Sequence, residues 1–144
     1  MKKAILLIAI FLLVGCTNQS FYLTDKYYNN GDFISIKASD INVDESFILY
    51  TYNNFCALPI HCENIFKEEM EKYKIDVLSM PFDEFKNTNY YKKVKYAPSI
   101  LIIKDGNLID YLKADNDKDY DKYQKVDIFH EWLEKYVILS KKAE

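Results

Sequence analysis

The stretch Phe47-Ile48-Leu49-Tyr50-Thr51-Tyr52-Asn53-Asn54-Phe55-Cys56-Ala57-Leu58-Pro59-Ile60-His61-Cys62 joins a strand-like run to a helix-like one through two cysteines. Phe47 to Tyr52 is short and rich in aromatic and aliphatic residues, as expected of a buried strand. The pattern predicts a helix from Ile60 to Tyr73, with the second thiol in its first turn. Cys62, Ile65, Phe66, Met70 and Tyr73 fall on one stripe of it, and Glu63, Lys67, Glu68, Glu71 and Lys72 fall opposite. Unpaired backbone N–H groups and the macrodipole at a helix start favour negative charge, so a thiol held there ionises more readily and attacks better. Position therefore suggests chemistry at Cys56 and Cys62, with Cys62 on the core-facing side. The alternative is a structural disulfide clipping a small loop in an exported protein.

Downstream, Ile75 to Ser79 is the next strand, and Phe82 to about Lys93 is weakly patterned helix. Tyr96-Ala97-Pro98 then introduces Ser99-Ile100-Leu101-Ile102-Ile103, a nearly continuous apolar run expected of a central strand. Asp105-Gly106 separates it from Leu108 to Leu112. That dipeptide between apolar runs predicts a two-residue hairpin, because the turn needs positive φ at both central positions. A polar stretch, Lys113 to Lys125, leads to a last helix with the stripe Phe129, Trp132, Leu133, Tyr136 and Val137, for which Asp127 is the expected N-cap. Upstream, Phe33 to Lys37 reads as a short edge strand and Ser39 to Glu45 as a polar connection. A helix crossover between parallel strands, followed by an antiparallel hairpin, predicts an α/β sandwich with a mixed sheet.

The N-terminus carries its own signal. Met1-Lys2-Lys3 is a basic head, Ala4 to Leu12 is an apolar run short for a permanent span, and Leu13-Val14-Gly15-Cys16 follows. This resembles a bacterial lipoprotein signal peptide, which implies cleavage before Cys16, lipid on its sulfur, and retention on the extracytoplasmic face of the cell membrane. An ordinary secretory signal or an uncleaved anchor is the alternative. The expected division is a signal peptide over 1–15, a tether over 16–32 with a reach of roughly 20 Å if flexible, and one domain over 33–144. A chain of 144 residues that is 49% hydrophobic can bury one proper core. The formal charge of −3 and the lack of any Arg give no sign of nucleic-acid binding. With Cys16 committed to lipid, Cys56 and Cys62 are each other's only intramolecular partners.

From Ser46 to the last helix the chain resembles the thioredoxin-fold proteins. In that family a strand ends in aromatic residues before Trp-Cys-x-x-Cys at a helix head; here Phe55 stands at the Trp position and Cys56 at the first cysteine. Farther on, the family has an apolar residue, a cis-proline, Thr or Ser, four apolar residues, then Lys-Asn/Asp-Gly. Ala97-Pro98-Ser99-Ile100-Leu101-Ile102-Ile103-Lys104-Asp105-Gly106 follows that pattern without a gap. The lipoprotein context and the run Ser46-Phe47-Ile48-Leu49-Tyr50 resemble those of small exported thioredoxin-like proteins of Gram-positive bacteria, including those called bacteriocin transport accessory proteins. The fold implied is a thioredoxin-like three-layer sandwich with a mixed central sheet.

Two departures bear on function. Five residues separate the cysteines instead of two. On a continuous helix that spacing sets the side chains about 9 Å apart along the axis and about 120° around it, too far for a disulfide. The loop must bulge, with Pro59 expected at the first helical position. Thioredoxins also keep a buried acid six residues before the first cysteine, as proton acceptor for the second; Tyr50 occupies that place, and a neutral phenol cannot accept in the same way. His61, next to Cys62, reads as a solvated side chain, the alternative being an imidazolium that lowers the thiol pKa; His130 reads as surface. Asp115 to Asp121 has the alternating acids of a calcium loop but lacks its Gly and its final Glu, so it reads as a solvated acidic loop.

The expected function is a lipid-anchored thiol-disulfide oxidoreductase that exchanges disulfides with exported proteins. Cys56 is the attacking thiol and Cys62 the resolving thiol, while Phe55, Ala97 and Pro98 receive the substrate chain. The cysteines carry the electrons, so neither cofactor nor metal is needed. The competing expectation is a non-catalytic binding or accessory lipoprotein with a static Cys56–Cys62 disulfide.

Overall fold

Burial in consecutive positions along two strands fixes the layering. The computed structural model describes residues 19–55 and 57–143. In it β2 (Phe47–Tyr52) is buried from Phe47 through Thr51 and β4 (Ser99–Lys104) from Ser99 through Ile103. Successive strand residues point to opposite faces, so such runs need cover on both sides of the sheet. The sheet order is β1-β3-β2-β4-β5. Here β1 (Phe33–Ser35) and β2 run parallel to β3 (Val77–Pro81), while β4 runs antiparallel to β2 and to β5 (Asn107–Tyr111). Tyr50 pairs with Ile100 and Thr51 with Ser99, which brings the end of β2 beside the start of β4.

The crossover between β2 and β3 is α1 (Cys62–Tyr73), which packs beside α3 (Val126–Leu133). The joint is aromatic: Phe66 on α1 lies 4.8 Å from Phe129 on α3 and 5.6 Å from Tyr50 on β2, ring centre to ring centre. Phe66 is fully buried, and truncating such a side chain to Ala costs about 3–5 kcal/mol. α1 ends at Lys74 in the left-handed region (φ 54°), whose N–H turns back to the carbonyls of Met70 and Glu71. Among the described residues no helix is long and apolar enough to cross a membrane.

The hairpin forms as the Asp-Gly pair predicts, with φ of 47° at Asp105 and 73° at Gly106. Gly106 is required twice over, since a Cβ there would also lie 2.1 Å from the carbonyl oxygen of Val43.

Three local expectations need correction. The span from Phe82 to Lys93 is not one helix but α2 (Phe82–Phe85) and a 3-10 turn, Asn89–Lys92, because Thr88 turns extended between them (ψ 157°). Asp127 does not cap the last helix; Lys125 holds the cap position, and the Asp127 carboxylate sits in the first turn accepting from the Ile128 N–H at 2.9 Å. The polar stretch before that helix contains a 3-10 helix, Asp117–Tyr123.

The segment 19–32, expected to be tether, is packed onto the domain. Leu23 and Tyr27 are buried. Phe21 bridges Val137, with Phe21 N–H donating to Tyr136 and Ile138 N–H donating to Phe21, and Tyr28 bridges Ile75. Asp76, 2% exposed, closes the turn that follows: its Oδ1 accepts from the N–H groups of Asn30, Gly31 and Asp32, and its Oδ2 from the side chain of Asn29. Gly31 (φ 88°) lies so close to α1 that a Cβ would meet Glu71 Cα and Met70 O at 2.6 Å. The polar turn residues that suggest a loose linker instead supply donors to one buried carboxylate. Residues 1–18, including the expected signal peptide and the lipid site Cys16, lie outside the described residues.

Candidate active site

Cys62 is the first residue of α1 and fully buried. Its placement on the apolar stripe is as expected. The helix, however, starts later than Pro59, and the reason is a side chain from the far end of the chain. Gln124 grips both backbone groups of Ile60: its Oε1 accepts from the Ile60 N–H at 3.0 Å and its Nε2 donates to the Ile60 carbonyl at 2.8 Å. That carbonyl is thereby withdrawn from helical bonding, and the Asn64 N–H turns to His61 instead, at 3.0 Å. His61 is the N-cap residue, exposed and without a side-chain capping bond. Gln124 is a site residue that the sequence pattern does not announce.

The peptide bond Ala97–Pro98 is cis, as the resemblance implies. The loop holding it is tied to the end of β2 by Asn53, whose side-chain amide donates to the Ala97 carbonyl at 3.1 Å while its oxygen accepts from the Phe55 N–H at 3.3 Å. From the other side, the Tyr123 hydroxyl lies 2.9 Å from the carbonyls of both Pro98 and Leu112. Burial pushes the Tyr123 phenol well above its ordinary pKa of 10.0, so it remains a donor at any physiological pH.

Between these anchors runs an open groove of about 380 Å³. Phe55, Ala57, Leu58, Ala97 and Pro98 line one part of it, and Lys113, Asp115, Asp117, Tyr120 and Tyr123 another. Phe55 is 88% exposed. Cys56 lies outside the described residues, but its sequence neighbours Phe55 and Ala57 both line this groove. The expected substrate-binding positions Phe55, Ala97 and Pro98 thus share one surface. Among the described residues no group of His, Cys, Asp and Glu is gathered as a metal ion would require.

The Tyr50 hydroxyl lies 3.8 Å from the Cys62 sulfur. The expectation that His130 is a surface side chain is corrected. It is half-buried, stacked on Tyr73, with Nδ1 2.5 Å from the fully buried carboxylate of Glu69 and Nε2 3.3 Å from Glu134. The sequence does carry a signal for this: Glu69 falls on the apolar stripe of α1 seven residues after Cys62, where a carboxylate needs a partner.

No protein-family model and no curated protein matches the sequence. Among solved structures, a mutant thioredoxin from Halobacterium salinarum NRC-1 superposes with a TM-score of 0.55 at 13% identity, covering 76% of this chain and 95% of that one. Oxidised thioredoxin from Plasmodium falciparum matches with a TM-score of 0.47 at 17% identity, over 67% of this chain and 97% of that one. At these identities the likeness is one of fold. Together with the mixed sheet, it makes the architecture thioredoxin-like.

Proposed function

We propose that the chain is an extracytoplasmic, lipid-anchored thiol-disulfide oxidoreductase acting on exported proteins through Cys56 and Cys62. The observation that carries this reading is the groove in which the neighbours of Cys56 face the cis-Pro98 loop, next to a buried Cys62 at the head of α1. Cys56 attacks one sulfur of a client disulfide, forming a mixed disulfide and releasing the first client sulfur, which takes up a proton. Cys62 then attacks the Cys56 sulfur, the intramolecular bond forms, and the second client thiol leaves. Two electrons and two protons pass from the pair to the client; run backwards, the same steps oxidise a client dithiol.

The anchored context is that of small exported thioredoxin-like lipoproteins, the bacteriocin transport accessory type among them. Its geometry is compatible with exchange. The Thr24 N–H donates to the Ser46 carbonyl just before β2, and Lys104 at the end of β4 lies over the Phe21 ring. Both contacts are at the sheet end opposite the cysteine loop. A two-chain lipid on Cys16 would hold the domain stably at the bilayer.

The deciding experiment is the reduction potential of the Cys56–Cys62 pair. A value between about −270 and −120 mV supports exchange, and one below about −300 mV supports the static accessory lipoprotein instead. Mass spectrometry of protein from its native membrane tests the anchor: peptides from Met1 to Gly15 should be missing, and an unmodified Cys16 thiol would defeat that part.

A further inference from the structure

Tyr50 and Cys62 meet in the interior, 3.8 Å between oxygen and sulfur, with Tyr50 2% exposed and Cys62 not exposed at all. The Tyr50 ring is held by Phe33, Tyr52 and Phe66, at 5.5, 5.7 and 5.6 Å between ring centres. A phenol O–H can donate, and a thiolate can only accept, so the hydroxyl faces the anionic sulfur as a donor. Among the described residues, the Tyr123 hydroxyl is within bonding distance of the carbonyls of Pro98 and Leu112, His61 is exposed, and Glu63 is half-buried.

Two opposed effects act on a fully buried thiol at a helix start. Burial disfavours the thiolate, and the helix terminus favours it. A hydrogen bond donated to the sulfur anion adds to the second. We propose that Tyr50 is a positioning residue for the redox pair, donating to the Cys62 thiolate and so holding the resolving sulfur ready to attack. This rests on the exchange reading above. In the step concerned, a Cys62 electron pair forms the bond to Cys56, and the bond between Cys56 and the client breaks. Its electrons leave on the client sulfur, and the proton lost by Cys62 ends there.

The test is an NMR titration of ¹³Cβ at Cys62 in the Cys56→Ser chain, with and without Tyr50→Phe. The exchange removes one hydroxyl and leaves the ring packing. Tyr50→Phe should raise the Cys62 midpoint by about one pH unit or more, about tenfold less thiolate below it. An unchanged midpoint overturns the proposal, whereas a purely structural role would lower stability without moving it. Should Tyr50→Phe fail to fold, the Tyr50 ¹³Cζ signal in the Cys56→Ser chain serves instead. It should show an inflection at the Cys62 midpoint, and its absence overturns the proposal. If the midpoint shifts but Cys62→Ser traps no client on Cys56, the exchange reading fails and the Tyr50 assignment stands. If clients are trapped while the midpoint stays put, exchange stands and the Tyr50 assignment fails.

Discussion

Glu69 on α1 and His130 on α3 meet at 2.5 Å, and the carboxylate is fully buried while the imidazole reaches the surface. The second Glu69 oxygen has no hydrogen-bond partner among the described residues, so His130 is the main compensation for burying this acid. Breaking a buried pair by removing one partner leaves the other uncompensated. His130→Leu should therefore cost about 3 kcal/mol in urea denaturation, and Glu69→Met with His130→Leu should recover much of that loss. Strict additivity of the two single substitutions would mean that the contact has no energetic weight.

Stability should also depend on pH through Asp76. Burial alone would raise its pKa, but the N–H groups of Asp32, Asn30 and Gly31 and the Asn29 amide outweigh it and hold the carboxyl below its ordinary 3.8. A depressed acid stabilises the fold above its unfolded pKa of about 3.9, and that contribution is lost as pH falls through the lower folded value. Asp76→Asn would set an amide donor against the Asn29 amide, costing about 1–3 kcal/mol at pH 7. The difference from the parent should shrink as pH drops below about 4. Denaturant midpoints across pH 3–7 measure it; a difference independent of pH would contradict the assignment.

How much of this is legible beforehand depends on the range of the interaction. The run Ser99 to Ile103 and the pair Asp105-Gly106 specify a strand and a turn from neighbours alone, and the stripe of α1 follows from helical period. Gln124 and His130 find their partners 64 and 61 residues away; nothing local marks Gln124, and His130 is announced only by an acid, Glu69, on the apolar stripe of α1. The segment 19–32 is missed for a related reason. It is held by single buried residues, Leu23 and Tyr27, and by bonds to Asp76, none of which makes a period. In the site, Ala97 and Pro98 are readable from the pattern, whereas the contact between Tyr50 and Cys62 needs β2 and α1 in place.

Gln124→Ala should loosen the cysteine loop without unfolding the domain. Ile60 is 45% exposed, so water can replace the lost bonds and the cost should be only about 1 kcal/mol. The informative readout is amide exchange at Ile60, which should quicken by about fivefold relative to amides in β4. Equal protection in both chains would show that other contacts hold the loop. If the loop geometry sets the redox behaviour of the pair, the same variant should also shift its reduction potential.

The proposed division of labour between the two thiols rests on the burial of Cys62 and on the sequence neighbours of Cys56. Cys62 has no exposed surface and packs on the stripe with Phe66 and Met70, so a folded client disulfide cannot reach it. Phe55 and Ala57, on either side of Cys56, line the open groove. An attacking thiol must reach the client, whereas a resolving thiol need reach only its neighbour. The Cys62→Ser chain should therefore accumulate mixed disulfides with exported proteins, detected by diagonal electrophoresis, while Cys56→Ser should accumulate almost none. Trapping by Cys56→Ser alone would reverse the roles and give the attack to the sulfur at the helix terminus. If neither variant traps a client and the parent disulfide resists reduction, the pair is a static clip and the domain an accessory module.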